Sequence, residues 1–318
     1  MTKKIEKILL EQSPLYNLSS KAKLAHLLGC RTQFLHNFRN SRRQYNIFKI
    51  KKTNGTGKRP VEDPNVFLKS IHSKFKSLIS EIKTPEYLHS GTKGKSHITN
   101  ARSHIDAKYC VTLDLQSFYQ TATKTFLSYM FHTVFQMPDD IAYCMSDIAT
   151  IPYKPSDEHN SYFSTGSPLS QILVFWCYKA TFDYIDRLAR KNGIIFTIYV
   201  DDITFSSNRP IPQSFIKTIE KRLEKVGLHL NNKKTKWYYP KDFKIVTGCA
   251  IKNGTMKVKN CKREEIIIKL KQNDNSSKAI ASIVGKISSQ QQIEPNIMNT
   301  SKQQLIAMRR KSNKKDNI

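Results

Sequence analysis

Two adjacent carboxylates in the stretch Tyr199-Val200-Asp201-Asp202 have the residue types and spacing best suited to chemistry. Residues 194–198 before them are β-branched or aromatic, and residues 203–207 after them alternate apolar and polar side chains. This pattern predicts two strands joined by a tight acidic turn. Adjacent carboxylates repel each other, and hard divalent cations such as Mg²⁺ relieve that repulsion by binding carboxylate oxygens. We therefore predict a metal site at a hairpin tip, with a solvated Asp-Asp turn as the alternative.

A third carboxylate, Asp114, lies near the end of a largely apolar segment that begins at Tyr109. The apolar and β-branched residues of this segment predict a strand. An Asp at the end of one strand can face the acidic turn of another. Asp114 and Asp201 would then hold two metal ions close together, an arrangement suited to phosphoryl transfer.

The chain carries a large excess of positive charge. Its 318 residues include 53 Lys and Arg against 25 Asp and Glu, which gives a formal charge of +28. Charge of one sign repels itself, so a polyanionic partner is the expected explanation, and a merely basic protein is the alternative. Nucleic acid is favoured over a membrane surface because no basic amphipathic helix with a broad apolar face is evident.

The cysteines and apolar runs indicate a cytoplasmic protein. The six cysteines are scattered and form no Cys-x-x-Cys pair, which predicts free thiols in a reducing compartment. The first residues lack the apolar region of a signal peptide, and no apolar run is long enough to span a bilayer. We therefore expect no membrane partner.

The acidic stretch between two strands resembles the catalytic turn of reverse transcriptases, and motifs described below resemble the retron type from bacteria. The resemblance implies an α+β fold of the right-hand polymerase type, with fingers, a palm with an antiparallel sheet, and a helical thumb. It places the N-terminal helices and fingers at residues 1–105 and the thumb with a basic tail at 256–318. The palm, with some fingers elements interleaved, is expected at residues 106–255.

The run that begins at Asp114 and ends at Tyr119 resembles the first catalytic motif of that family. The resemblance implies that the catalytic residues are Asp114, Asp201 and Asp202. These side chains and the backbone carbonyl of Leu115 would bind two Mg²⁺ ions, one activating the primer hydroxyl and the other holding the triphosphate. Tyr119 would lie beneath the incoming sugar and exclude a 2′-hydroxyl, with core packing as its alternative role.

Two basic residues are implied to contact the nucleotide. Arg59 lies two residues before Val61 in a predicted basic hairpin, as in the fingers of the family. Lys234 is the lysine of a Leu-Asn-x-x-Lys-Thr motif that begins at Leu230. Both side chains would lie near the phosphates of the deoxynucleoside triphosphate.

The stretch from Ser164 to Gln171 resembles the family pattern Pro-Gln-Gly-x-Pro-x-Ser-Pro, in which Gly166 would help bind the nucleotide. Pro168 and Ser170 also match. Thr165 replaces the Gln that in the family positions template and nucleotide, and Gln171 replaces the last Pro. These departures affect the expected competence of the polymerase rather than its fold.

Two short signatures are typical of retron enzymes. Asn100 and His104 match an Asn-Ala-x-x-His pattern, for which a loop with a surface His is the alternative. The second signature is Val246-Thr247-Gly248. By resemblance we predict that all five residues bind RNA.

The resemblance also implies partners. They are a cognate structured noncoding RNA, its RNA–DNA product, deoxynucleoside triphosphates, and a separately encoded effector protein in antiphage defence. The alternatives are an intron-type, diversity-generating or abortive-infection reverse transcriptase, and a non-catalytic RNA-binding scaffold. The two retron signatures favour the retron type, and the three carboxylates favour an enzyme.

Overall fold

Helices and short antiparallel strands make up the fold over the residues that the structure, a computed structural model, describes: 7–38, 44–51, 57–152, 161–272 and 276–315. Side chains from residue 310 onward and the predicted loop at 153–160 lie outside this description. The helices are α1 (Lys21–Leu28), α2 (Thr32–Asn37), α3 (Val66–Glu81), α4 (His97–Arg102), α5 (Phe118–Thr121), α6 (Lys124–Thr133), α7 (Asp139–Ala149), α8 (Ser170–Lys191), α9 (Gln213–Glu224), α10 (Asn260–Lys271), α11 (Ser277–Gln291) and α12 (Asn299–Lys315). The strands are β1 (Tyr45–Lys51), β2 (Lys58–Pro64), β3 (Tyr109–Asp114), β4 (Thr150–Pro152), β5 (Ser161–Phe163), β6 (Ile195–Tyr199), β7 (Asp202–Ser207), β8 (Lys236–Tyr238), β9 (Lys244–Val246), β10 (Cys249–Lys252) and β11 (Thr255–Val258).

The central sheet has the strand order β6-β7-β3-β8, and all of its neighbouring strands are antiparallel. The predicted hairpin is therefore present as β6 and β7. Its apolar residues, among them Phe196, Ile198, Ile203 and Phe205, are buried. The α+β fold with an antiparallel sheet is confirmed.

One large core joins the N-terminal helices to the central sheet. It runs along the chain from Leu15 to Leu230 and includes most of the buried face of α8. The long helix α8 packs against β6, the strand at one edge of the central sheet. Because the core crosses residue 105, the fingers and palm assigned from the sequence pack as one body, and the boundary between them stays a prediction.

The predicted basic hairpin is present as β1 and β2, which pair from Tyr45 opposite Pro64 to Lys51 opposite Lys58. Its tip, residues 52–56, lies outside the described part of the chain. Directly after β2 the side chain of Asn65 accepts a hydrogen bond from the Leu68 N–H at 2.9 Å, which caps the start of α3.

The C-terminal part forms two smaller cores. Strands β9, β10 and β11 make an antiparallel sheet that packs on α4. Helices α10, α11 and α12 bury Ile266, Ile280, Ile283, Ile287 and Leu305 among themselves. Three of these residues, Ile280, Ile283 and Ile287, form the buried face of α11. Among the described residues, no helix combines the length and the apolar content needed to cross a bilayer.

Candidate active site

The acidic turn at residues 199–202 is held in an unusual backbone conformation. Val200 has a φ angle of 58°, in the left-handed region. This region is costly for a β-branched residue, so the surrounding structure must hold the turn in place. The strain lies directly before the two carboxylates. The sequence predicted a tight turn here but not this conformation.

Strand register brings the three predicted carboxylates to one end of the central sheet. Asp114 lies opposite Asp202 in the β3–β7 pair. The Leu115 N–H donates to the Asp201 carbonyl at 2.9 Å, and the Asn231 N–H donates to the Asp114 carbonyl at 2.8 Å. These backbone hydrogen bonds therefore fix the Cα positions from which the Asp114 and Asp201 side chains extend.

Burial and the neighbouring carboxylates raise the pKa of Asp201 and of Asp202. Burial raises the pKa of Asp202 to about 7, and the charges of Asp201 and Asp114 add to that shift. Burial also raises the pKa of Asp201, with a further contribution from Asp114. Partly buried like charges are costly, and a bound cation removes that cost.

Lys234 supplies part of the compensating charge. Its Nζ lies 2.7 Å from Asp114 Oδ1, and its side chain is 58% exposed. The hydrogen bond to Asp114 raises the pKa of Lys234 and keeps its ammonium charged. An exposed ammonium on a flexible stem can exchange its carboxylate partner for a phosphate. The predicted contact with the nucleotide is compatible with this position.

The donor set fits a divalent cation bound jointly with a substrate. Within the described ranges, no three His, Cys, Asp or Glu side chains surround one point as a complete metal site. Mg²⁺, however, is commonly bound by one or two carboxylates, waters and substrate phosphates rather than by an all-protein cage. The hard carboxylate oxygens of Asp114, Asp201 and Asp202, with their excess negative charge, suit that mode.

Two predicted nucleotide-binding residues, Arg59 and Tyr119, lie near the acidic turn. Arg59 is exposed in β2, and its positive charge lowers the pKa of Asp201. Burial raises the pKa of Tyr119, and the Asp201 charge raises it further. The side-chain amide of Gln171 hydrogen-bonds to the Tyr119 hydroxyl. A proline at position 171 has no side-chain donor for this contact.

Gly166 and Thr165 contact strand β2 rather than open space. A Cβ on Gly166 would lie 2.6 Å from the Glu62 carbonyl, so only glycine allows this close approach. The Gly166 N–H donates to that carbonyl at 3.1 Å. The Thr165 hydroxyl and N–H both donate to the buried Glu62 carboxylate, at 2.9 and 3.2 Å. Thr165, at the position where the family pattern has Gln, therefore joins this loop to strand β2.

The first retron signature lies inside the protein. Asn100 and His104 are fully buried. His104 bridges the two strands of the hairpin, with Nδ1 2.6 Å from Ser206 Oγ and Nε2 2.7 Å from Thr197 Oγ1. In this structure His104 therefore connects the two strands of the acidic hairpin, and RNA contact by Asn100 and His104 stays a prediction.

The second signature packs against the first. The Asn100 amide donates to Thr247 Oγ1 at 3.4 Å, and the Thr247 hydroxyl donates to the His97 carbonyl at 2.7 Å. Val246 is fully buried, and its RNA contact stays a prediction. Thr247 is half-buried and Gly248 is exposed with a φ of 89°, so contact of these two with RNA stays a prediction.

Two contributors to the site were missed by sequence reasoning. Ser90 Oγ accepts a hydrogen bond from the Val200 N–H at 3.0 Å. Glu62 holds Thr165, as described above. The partners of each lie about a hundred residues away in the chain, and neither residue has a local pattern that indicates its contact.

Comparison with known proteins agrees with this geometry. The family described as "Reverse transcriptase (RNA-dependent DNA polymerase)" matches residues 50–262. The chain is 26% identical over 239 residues to the retron Ec86 reverse transcriptase of Escherichia coli, covering 71% of this chain and 69% of that protein. It is 24% identical over 192 residues to the retron Ec48 reverse transcriptase of Escherichia coli, covering 54% of this chain and 45% of that protein.

A solved structure of telomerase from Candida albicans, in complex with a TWJ fragment of telomeric RNA, is similar with a TM-score of 0.48 and 12% identity. That match covers 82% of this chain and 54% of the telomerase chain. The family match alone includes β2, the central sheet and the three carboxylates, and it extends over more than half of the chain. The chain therefore belongs to the reverse transcriptase family of RNA-dependent DNA polymerases.

Proposed function

We propose that this chain is the RNA-directed DNA polymerase of a retron. One observation supports the catalytic part most directly: strand register sets Asp114 opposite Asp202, beside Asp201, at the tip of a strained hairpin. In the proposed reaction a primer hydroxyl attacks the α-phosphorus of a deoxynucleoside triphosphate. A new P–O bond forms, the bond to the β-phosphate oxygen breaks, and pyrophosphate leaves.

The family generally uses divalent metal ions, and we propose that Mg²⁺ serves here as a pair of ions. Asp114, Asp201, Asp202 and the Leu115 carbonyl would hold them, and when bound they supply activation of the primer hydroxyl and neutralisation of phosphate charge. The side chains of the protein do the remaining work. Lys234 and Arg59 would bind the phosphates of the nucleotide, and the Tyr119 ring would exclude a ribose.

The proposed substrate is the cognate structured noncoding RNA of the retron. The enzyme would prime from a 2′-hydroxyl of that RNA and make RNA-linked single-stranded DNA, known as msDNA. The similarity to retron enzymes and the charge of +28 support this proposal. We further propose that the product acts in antiphage defence together with a separately encoded effector protein in the cytoplasm.

The test is to express the protein with its neighbouring noncoding gene, purify it, and analyse the nucleic acid that copurifies. RNA covalently joined to DNA supports the retron assignment. An enzyme that extends a DNA primer on an RNA template, but carries no RNA-linked DNA, would be a reverse transcriptase of another type. Primer extension with purified protein separates that outcome from loss of activity.

A second candidate function is a non-catalytic RNA-binding scaffold. The observation that favours it is Thr165, which stands where the family has a Gln that positions template and nucleotide and which here contacts Glu62. A scaffold would copurify with RNA alone and would not extend a primer with any divalent cation. DNA synthesis by the wild-type protein that stops in the Asp201→Asn variant would exclude it.

A further inference from the structure

A short segment at residues 87–90, here called the brace, runs along the outer edge of the acidic hairpin. Leu88 forms a parallel bridge with Ile198 of β6. The Ile198 N–H donates to the Tyr87 carbonyl at 2.9 Å, and the His89 N–H donates to the Ile198 carbonyl at 2.9 Å. The brace therefore extends the central sheet beyond β6, and its last residue, Ser90, reaches the acidic turn.

Ser90 makes a contact at the most strained point of the turn. Its side-chain oxygen accepts the Val200 N–H at 3.0 Å, and the residue is only 4% exposed. Val200 has the left-handed φ of 58°, and the Asp201 carboxylate follows in the next residue. The Val200 N–H belongs to the planar peptide that joins Tyr199 to Val200, so this hydrogen bond holds the peptide that leads directly into Asp201 and Asp202.

The brace itself is anchored, so Ser90 is a fixed acceptor. After Ser90 the chain turns at Gly91, which has a left-handed φ of 64°. Gly91 lies beside Ile172, at a distance where an added Cβ would make ordinary van der Waals contact. The Thr92 hydroxyl donates to the Ser90 carbonyl at 3.3 Å. The hydrogen bond from Thr92 therefore holds the Ser90 backbone, from which the hydroxyl reaches the acidic turn.

The base of the hairpin is held separately. His104 contacts Thr197 on β6 and Ser206 on β7, several residues from the tip. Loss of the Ser90 contact would therefore release the tip of the hairpin while its base stays paired. Ser90 can therefore position the tip of the hairpin, whereas His104 contributes to the stability of its base.

We propose that Ser90 is a positioning residue of the polymerase site: its hydroxyl holds Val200 in the left-handed conformation and thereby sets the direction of Asp201 and Asp202. The proposal rests on the proposed function of the carboxylates as metal ligands. Displacement of a catalytic group by about 1 Å can lower a rate by roughly 100-fold. Precise positioning of the turn is therefore a requirement for the chemistry.

The test compares three variants with the wild-type protein. Ser90→Ala removes the acceptor, and Ser90→Thr keeps an oxygen at the same branch point. Ser146→Ala is the matched control, because Ser146 is also fully buried but donates to the Ala142 carbonyl within α7. For each variant we would measure kcat and KM in primer extension, the half-saturating Mg²⁺ concentration, thermal unfolding, and hydrogen exchange at the Val200 amide.

We expect Ser90→Ala to lower kcat by roughly 10- to 100-fold, with a much smaller change in the KM for the nucleotide. It should raise the half-saturating Mg²⁺ concentration and speed exchange of the Val200 amide, while Ser90→Thr recovers part of kcat. Ser146→Ala should leave kcat, the Mg²⁺ dependence and Val200 exchange unchanged even where it lowers the melting temperature.

Two results would overturn the proposal. One is Val200 exchange and Mg²⁺ dependence in Ser90→Ala that match the wild type. The other is a loss of kcat that follows only the loss of folded protein, as in the control. The wild-type protein separates this failure from that of the proposed function: without DNA synthesis by the wild type the polymerase assignment fails, whereas the exchange measurement still tests the role of Ser90.

Discussion

At the scale of single residues, the tip of the central sheet carries three carboxylates, and nearby basic side chains that act on them include Lys234, Arg59 and Lys259. Burial, followed by the charges of Asp201 and Asp114, raises the pKa of Asp202 to about 7. A cation or a cationic substrate complex would complete the balance. Changes at these residues should therefore affect chemistry more than folding.

The first prediction concerns Asp201→Asn. An amide keeps the shape of the side chain but removes its charge, which should cost several kcal/mol of transition-state stabilisation and abolish measurable DNA synthesis. RNA binding should persist, since it depends on the overall positive charge. Primer extension and an RNA-binding titration on one preparation check both parts. Asp140→Asn, an exposed change at the start of α7, is the control, and normal extension by Asp201→Asn would refute the metal assignment.

The second prediction concerns Tyr119. If its ring lies under the incoming sugar, Tyr119→Ala removes the steric barrier to a 2′-hydroxyl and should raise ribonucleotide incorporation relative to deoxyribonucleotide. DNA synthesis should fall less than in Asp201→Asn, because no metal ligand is lost. Tyr119→Phe keeps the ring and loses only the hydroxyl contacted by Gln171, so it should retain sugar selectivity.

Incorporation of both nucleotide types by each Tyr119 variant distinguishes this role from core packing. A ring that serves only as packing would destabilise the fold by about 3–5 kcal/mol when truncated. Selectivity in the surviving activity would then stay as in the wild type, and the assignment of Tyr119 would be wrong.

Sequence patterns predicted some contributors to the site and not others, for a physical reason. Asp201 and Asp202 stand out because a charged pair interrupts strongly strand-forming residues. Ser90 and Glu62 act through partners that are distant in sequence, and a serine or a glutamate has no local signature for such contacts. Asn100 and His104 stand out as a motif, but the motif does not indicate that both side chains are buried.

At the scale of elements, the acidic hairpin is supported by neutral polar contacts on its inner side. His104 connects Thr197 of β6 with Ser206 of β7, and all three residues are buried. A buried imidazole satisfies both oxygens without carrying charge. The hydrophobic pattern of β6 and β7 was enough to predict the hairpin, whereas the side chain that connects its two strands comes from the turn after α4, about a hundred residues earlier.

The third prediction follows from this buried histidine. Burial lowers the pKa of His104 to about 3, and the positive charges of His89 and Lys244 add to the shift. In the unfolded chain the pKa is about 6.5. Below pH 6.5 the unfolded state therefore binds a proton that the folded state rejects. The contribution of neutral His104 to the free energy of unfolding is therefore complete above pH 6.5. It is lost as pH falls toward 3, by at most about 1.4 kcal/mol per pH unit.

Urea unfolding of the wild type and of His104→Asn, measured at several pH values from 7 to 4, checks this prediction. The variant should be less stable at pH 7, because hydrogen bonds to Thr197 or Ser206 are lost, but its stability should fall less steeply with acid. His72, whose pKa burial lowers to about 4, is present in both proteins and cancels in the difference. Parallel pH profiles would show that His104 does not titrate as described.

At the scale of the whole molecule, the formal charge of +28 is the property that most constrains the partner. Exposed basic residues lie both near the acidic turn, as in Arg59 and Lys234, and on the C-terminal helices, as in Lys271 and Lys278. A protein with this excess has few internal acidic partners to neutralise it. Binding of a polyanion would relieve the repulsion among these basic side chains. For a nucleic acid, contacts with phosphates would dominate that binding.

The last prediction is therefore a steep salt dependence of RNA affinity. Each phosphate neutralised on a single strand releases counterions, so the logarithm of the association constant should fall with the logarithm of salt concentration by about 0.7 per contact. Equilibrium titrations of a labelled RNA between low and physiological salt measure this slope. Asp201→Asn is the matched control, because it changes the catalytic site by one charge and should leave the slope nearly unchanged while DNA synthesis is lost. Basic side chains that neutralise phosphates always make the affinity depend on salt. An RNA affinity that does not change with salt concentration would therefore mean that the excess charge does not bind RNA. The assignment of RNA as the partner would then lose its physical basis.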